Sequence, residues 1–203
     1  MAKGSNDVIL RDRLQFDIDA TGNTNLVYGR VDLSDYVSIP ESKGLAIKEI
    51  RFQLRTRVGG DSGVWPNYMG PRLAASMVPT GTYESAVKLF ATTTAYEDVV
   101  DVGVGSPNVI CVFDKQSLLI NQGTGANVES TAIDTYEHMF GTPDLHPEGY
   151  DVVTDLLIGI ELRGVNSENL VSTTCEVDVM IIAEPKKITS KDLTQMLSQA
   201  QDV

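Results

Sequence analysis

The stretch Leu45-Ala-Ile-Lys-Glu-Ile-Arg-Phe-Gln-Leu-Arg-Thr-Arg57 alternates strictly from Ile50 onward. Ile50, Phe52, Leu54, Thr56 and Val58 fall on one side. Glu49, Arg51, Gln53, Arg55 and Arg57 fall on the other. Successive strand side chains point to opposite faces, so this period of two predicts a strand with one buried and one wet face.

Outward from this stretch, the same period recurs in both directions. Val8, Leu10, Leu14, Phe16 and Ile18 share a side in 8–19, where Asp12 interrupts the apolar row and predicts a bulge or a later start. The run Asp19-Ala-Thr-Gly-Asn-Thr-Asn25 is turn chemistry, and Leu26 to Leu33 reads as a return strand. Near the other end, Leu156, Ile158, Ile160 and Leu162 alternate, as do Cys175, Val177, Val179, Ile181 and Ala183. The stretch 164–172 reads as a hairpin loop between those two strands, and Pro185 reads as the end of the second. The predicted core is Phe16, Ile50, Phe52, Leu54, Ile158, Ile160, Val177 and Val179.

Between these ends the pattern is weaker. Trp65, Tyr68 and Met69 give apolar weight to a Gly- and Pro-rich excursion after Val58. Residues 72–78, 86–91 and 99–104 are short strand candidates, though 83–90 also fits one or two helical turns. Val109–Phe113 and Leu118–Ile120, separated by Asp114-Lys-Gln116, suggest a hairpin or a bent strand. The region 121–151 reads as one long irregular loop, and such a loop is usually functional. After Pro185, Thr189-Ser-Lys-Asp192 resembles a capping box. Leu193, Met196, Leu197 and Ala200 then follow at helical spacing. The expected organisation is one sandwich domain over 1–184 and a helical arm over 185–203.

Composition fits an ordinary globular protein: 203 residues, 42% hydrophobic and 22% charged. The 28 acids against 16 bases give a net charge of −12. That balance disfavours strong direct binding to nucleic acid. The opening MAKGSNDV carries neither a basic arm nor an apolar secretory core, and no window reads as a membrane span. Two cysteines, Cys111 and Cys175, are no disulfide framework; Cys175 falls on an apolar face and reads as core.

No motif carries catalysis. Gly60-Asp61-Ser62-Gly63 resembles the nucleophile motif of chymotrypsin-like proteases. The chain's two histidines, His138 and His146, both follow Ser62, whereas that family places its base before it. His138 and His146 lie near Glu137, Asp144 and Glu148 without a ligand spacing that zinc uses. Asp19, Asn23 and Asn25 depart from a calcium loop. Gly103-Val-Gly105 and Gly123-Thr-Gly125 read as turns, not phosphate cradles. Arg51, Arg55 and Arg57 read as partners of an acidic row, Glu176, Asp178 and Glu184, ahead of a nucleic-acid contact. The expectation is therefore no enzyme, no catalytic or metal site and no cofactor.

Long loops, a strong pair of late strands and a terminal arm around many short strands resemble the single jelly-roll capsid proteins of small icosahedral viruses. That resemblance spans Val8 to Glu184 and implies an all-β, antiparallel β-sandwich of jelly-roll type with a short C-terminal helical arm. It further implies a shell subunit in the virion, assembled in the host cytoplasm. Its partners would be copies of itself and other virion proteins. The expected subunit contacts are Tyr136, Met139, Phe140, Leu145, Tyr150, Ile188, Leu193, Met196 and Leu197, chosen as apolar side chains of the long loop and the arm. The competing expectation is a non-catalytic module binding carbohydrate or another surface ligand by stacking on Trp65, Tyr68, Tyr136 and Tyr150.

Overall fold

The structure, a computed structural model, describes residues 6–57, 63–70, 81–121, 131–141, 148–165 and 170–199. Among these residues, nine strands and one α-helix follow in order: β1 Val8–Ile18, β2 Thr24–Val31, β3 Lys43–Arg55, β4 Gly81–Thr92, β5 Val109–Asn121, β6 Thr131–Phe140, β7 Tyr150–Val152, β8 Leu156–Arg163, β9 Thr173–Lys187 and α1 Ser190–Gln199. They form two antiparallel sheets, β1-β9-β3-β7 and β2-β8-β4-β5-β6. The chain changes sheet at every connection except β4–β5 and β5–β6. Without β6, the strand orders are those of an eight-stranded jelly roll, two four-stranded sheets built from interleaved Greek keys. The strand β6 is an addition that lengthens the second sheet.

Burial between the sheets explains the register. Ile18, Leu33, Leu45, Ile47, Ile50, Leu89, Leu156, Ile158, Leu162, Val177 and Ile181 are buried in one continuous cluster. Ile47 and Ile50 are both fully buried although three residues apart. A bulge makes this possible: Ile47 faces Ala183 and Glu49 faces Ile182, so Lys48 is the extra residue and resets the phase. Lys48 instead reaches Asp7 at 2.8 Å and Glu184 at 2.6 Å. Of the eight predicted core residues, seven are buried and Phe52 is only half-buried, packed against the cluster. Its cross-strand row runs through Val179 to Asp12. A carboxylate at the row's end requires water nearby, which keeps this corner of the sandwich open.

Several expectations are corrected. The pairing of β1 with β9 is unbroken from Val8 to Ile18, so Asp12 marks no bulge. The strands β8 and β9 belong to different sheets, so they form no hairpin. Residues 83–90 lie in β4, and 99–104 begins with a 3-10 turn at Val99–Asp101. Asp98 caps that turn by accepting from the Val100 N–H at 3.0 Å. Residues 109–120 lie in a single strand, β5. Its alternation is hidden because Lys115 and Ser117 are buried positions occupied by polar residues. The region 121–151 contains β6 and β7. The strand β9 continues through Pro185 to Lys187. Pro185 pairs with Leu45 of β3, whereas the pairing with β1 stops at Ala183, so no ladder bond on that side is lost. Residues 58–62 and 72–78, and with them Ser62, lie outside the described residues.

Two irregular segments finish the packing. Trp65–Gly70 lies against β5: the Met69 N–H donates to Ser117 Oγ at 3.3 Å, and Ser117 Oγ donates to the Asn67 carbonyl at 3.3 Å. Trp65 stands 6.2 Å from Phe16 and its indole N–H points at Met69 Sδ, 3.3 Å away. On the other face of the second sheet, Phe90, Val99, Val102 and Val112 form a second cluster with Tyr28, Tyr96 and Phe140 around it. The Tyr28 hydroxyl ties this cover down, accepting from the Tyr96 N–H at 2.7 Å and donating to the Tyr96 carbonyl at 3.0 Å.

Candidate assembly surfaces

Three surfaces stand out: the added strand β6, the helix α1, and the outer face of the first sheet. The strand β6 pairs with β5 alone, from Asn121 opposite Thr131 to Val112 opposite Phe140, without a register shift. Among the described residues no strand pairs with its other edge. Ile133 is 47% exposed and Tyr136 48% exposed, on opposite faces of the strand. Glu137 and His138 are exposed too. His138 stacks on Tyr136 with ring centres 5.8 Å apart and planes within 5°, and lies 4.1 Å from Phe140. Opposite His138, Asp114 has its pKa raised by burial, with Lys88 and His138 pulling it back. On the other face Lys115 is buried and donates to Glu137 at 3.0 Å.

The arm begins as its sequence predicts. The Thr189 hydroxyl accepts from the Asp192 N–H at 3.2 Å and donates to the Asp192 carboxylate at 2.6 Å. That hydroxyl holds the Asp192 pKa below its usual value. Leu193 and Met196 are half-buried, yet neither joins either buried cluster, and α1 lays no broad face on a sheet among the described residues.

The outer face of the first sheet carries the charged ladder. Asp178 receives Arg13 at 2.6 Å and Arg55 at 3.2 Å, and Glu176 receives Arg57 at 3.4 Å. Arg51 pairs with Glu49 and Glu184 with Lys48, so the arginines meet acids as expected, though with different pairings at that end. A depression of about 770 Å³ takes in residues of both faces, Arg13, Arg51 and Asp178 of the outer rows and Asp12, Phe52 and Val179 of the inner row.

The expected contact residues separate into groups. Tyr136 is exposed, and Met139 is half-buried beside it on β6. Phe140 leans on the second cluster and Tyr150 on the main core. Ile188 is 4% exposed, and a side chain at Gly44 would strike it, so its own chain already covers it. Leu145 and His146 lie outside the described residues, as does the side chain of Leu197. Trp65 is 8% exposed and offers no stacking face. Sequence reasoning missed Ile133; it sits in a segment without apolar alternation, and its exposure follows only from the position of β6 at the sheet edge.

Both thiols are free and buried, and burial pushes Cys111 up to about 12. Among the described residues, no three of His, Cys, Asp and Glu gather as metal ligands would. No helix there is long and apolar enough to cross a membrane. No protein-family model matches the chain, and a comparison with curated proteins finds no match.

Proposed function

We propose that the chain is a self-assembling, non-catalytic structural subunit of a virus-like shell. Its main partners are copies of itself and other virion proteins, and its place is the virion. The observation that carries this reading is α1: a capped, amphipathic helix whose described side chains join neither buried cluster. So short a helix is marginal alone. Leu193 and Met196 are already half-buried, so covering them against a neighbour offers only part of the roughly 1.5–3 kcal/mol of a full burial for each side chain. The exposed apolar side chains of β6 support the same reading.

Deleting 190–203 leaves β9 and Ile188 intact. We expect it to preserve the sandwich and to reduce particle formation measured by light scattering. Unchanged assembly after this deletion would remove the arm from the account. A ligand-binding module is the second reading. It draws on the 770 Å³ depression, which Phe52 and charged side chains line.

A further inference from the structure

We propose that β6 pairs edge to edge and antiparallel with β6 of a second copy of this chain, about a twofold axis at Tyr136. Strand edges carry unpaired N–H and C=O groups, and proteins blunt them with short length, bulges or inward charges. Each of the other three edges has such a device. The strand β7 has three residues. The strand β2 has a register shift between Thr24 and Val27. The strand β1 turns Asp12 toward the inner face, in the row of Val179 and Phe52. The strand β6 also turns a charge, Glu137, to the inner face, but Lys115 of β5 pairs with it at 3.0 Å; at ten residues with a regular ladder to β5, its outer edge, unpaired among the described residues, is straight and able to continue the sheet.

The sequence of β6 selects the partner and the register. A twofold axis perpendicular to a sheet keeps every residue on its own face, so paired residues must be an even number of positions apart. Centring on Glu137 sets like charges opposite each other, which is destabilising. Centring on Thr135 sets Ile133 against Glu137. Centring on Tyr136 sets Asp134 opposite His138 twice, Ile133 opposite Met139 twice, and Ala132 opposite Phe140 twice. Carboxylate–imidazole and apolar pairs then coincide, Thr135 stands opposite Glu137, and no like charges oppose. The self-complementarity of an isologous interface is thus written into one strand. The pairing would join two five-stranded sheets into one continuous sheet and cover Tyr136 and Ile133.

This inference refines the shell reading by naming one of its contacts, but it stands on β6 alone. The test is oxidative cross-linking of the full chain. Directly opposed residues of an antiparallel pair have Cα atoms about 4.5–5.5 Å apart, within disulfide reach. Tyr136 is exposed, so Tyr136→Cys should fold, and Cys111 and Cys175 are buried away from the reaction. We expect Tyr136→Cys to become a covalent dimer on oxidation. Thr135→Cys should remain uncross-linked, because its opposite residue is Glu137. Ile133→Cys combined with Met139→Cys should cross-link like Tyr136→Cys, and Asp134→Lys should weaken the dimer in sedimentation. Failure of Tyr136→Cys to cross-link, or equal cross-linking by Thr135→Cys, overturns the pairing. Particles without the Tyr136→Cys cross-link would overturn the pairing and leave the shell reading standing. A cross-linked dimer that forms no particle would do the reverse.

Discussion

Ile50 and Phe52 are neighbours on the same side of β3, yet their surroundings differ. Ile50 is fully buried, and Phe52 borders the open corner near Asp12. The cost of truncating a side chain follows the cavity it leaves, not its size alone. Ile50→Ala should cost about 2–5 kcal/mol in denaturant unfolding, and Phe52→Ala less than Ile50→Ala, because solvent already reaches that ring. The reverse order would mean that the corner is closed. The thiols give a second residue-scale prediction. Cys111 and Cys175 are both buried, and burial holds both thiols protonated well above neutral pH. Only the thiolate reacts readily. A thiol reagent at pH 8 should label neither cysteine in the folded chain and both after unfolding; rapid labelling of the native protein would contradict their positions.

At the scale of elements, β9 is the hinge of the design, with β1 on one side and β3 on the other. Asp178 ties all three strands together. Its hydrogen bond from Arg13, and then the charges of Arg13 and Arg55, hold its carboxyl below the usual range. A lowered folded pKa stabilises the fold above the unfolded value, about 3.9, and that contribution is lost as pH falls through the folded value. Stability should therefore decline below about pH 4, and Asp178→Asn should make that decline shallower while lowering stability at neutral pH. An unchanged acid limb would show that the ladder contributes little. The same scale explains which elements were legible. The strands β1, β3 and β9 each turn one apolar face to the core and β8 is covered on both sides, and the alternation of apolar residues shows in all four. In β5 the polar Lys115 and Ser117 take buried positions, because Glu137 and the Asn67–Met69 segment satisfy them, so the strand reads as broken. In β6 both faces are largely exposed, and the period that identifies a strand is absent. Pro185 reads as a stop but sits where β9 has only one ladder partner. The arm was legible from its cap, and the burial of Ile188 was not, since only the fold brings Gly44 beneath it.

For the whole molecule, the sandwich was legible from the alternating runs, whereas the strand order was not, since 164–172 reads as a hairpin, and the assembly surfaces depend on which strand ends a sheet and where the arm departs. A net charge of −12 on each copy opposes association, and salt screens that repulsion over about 8–10 Å near physiological ionic strength. Self-assembly should strengthen from low to moderate salt. The central claim is most directly tested by sedimentation velocity of the purified full chain across salt and protein concentration, with negative-stain images of any fast species. Large, uniform, closed particles are expected at moderate salt. A single species near 22.0 kDa under every condition would contradict it.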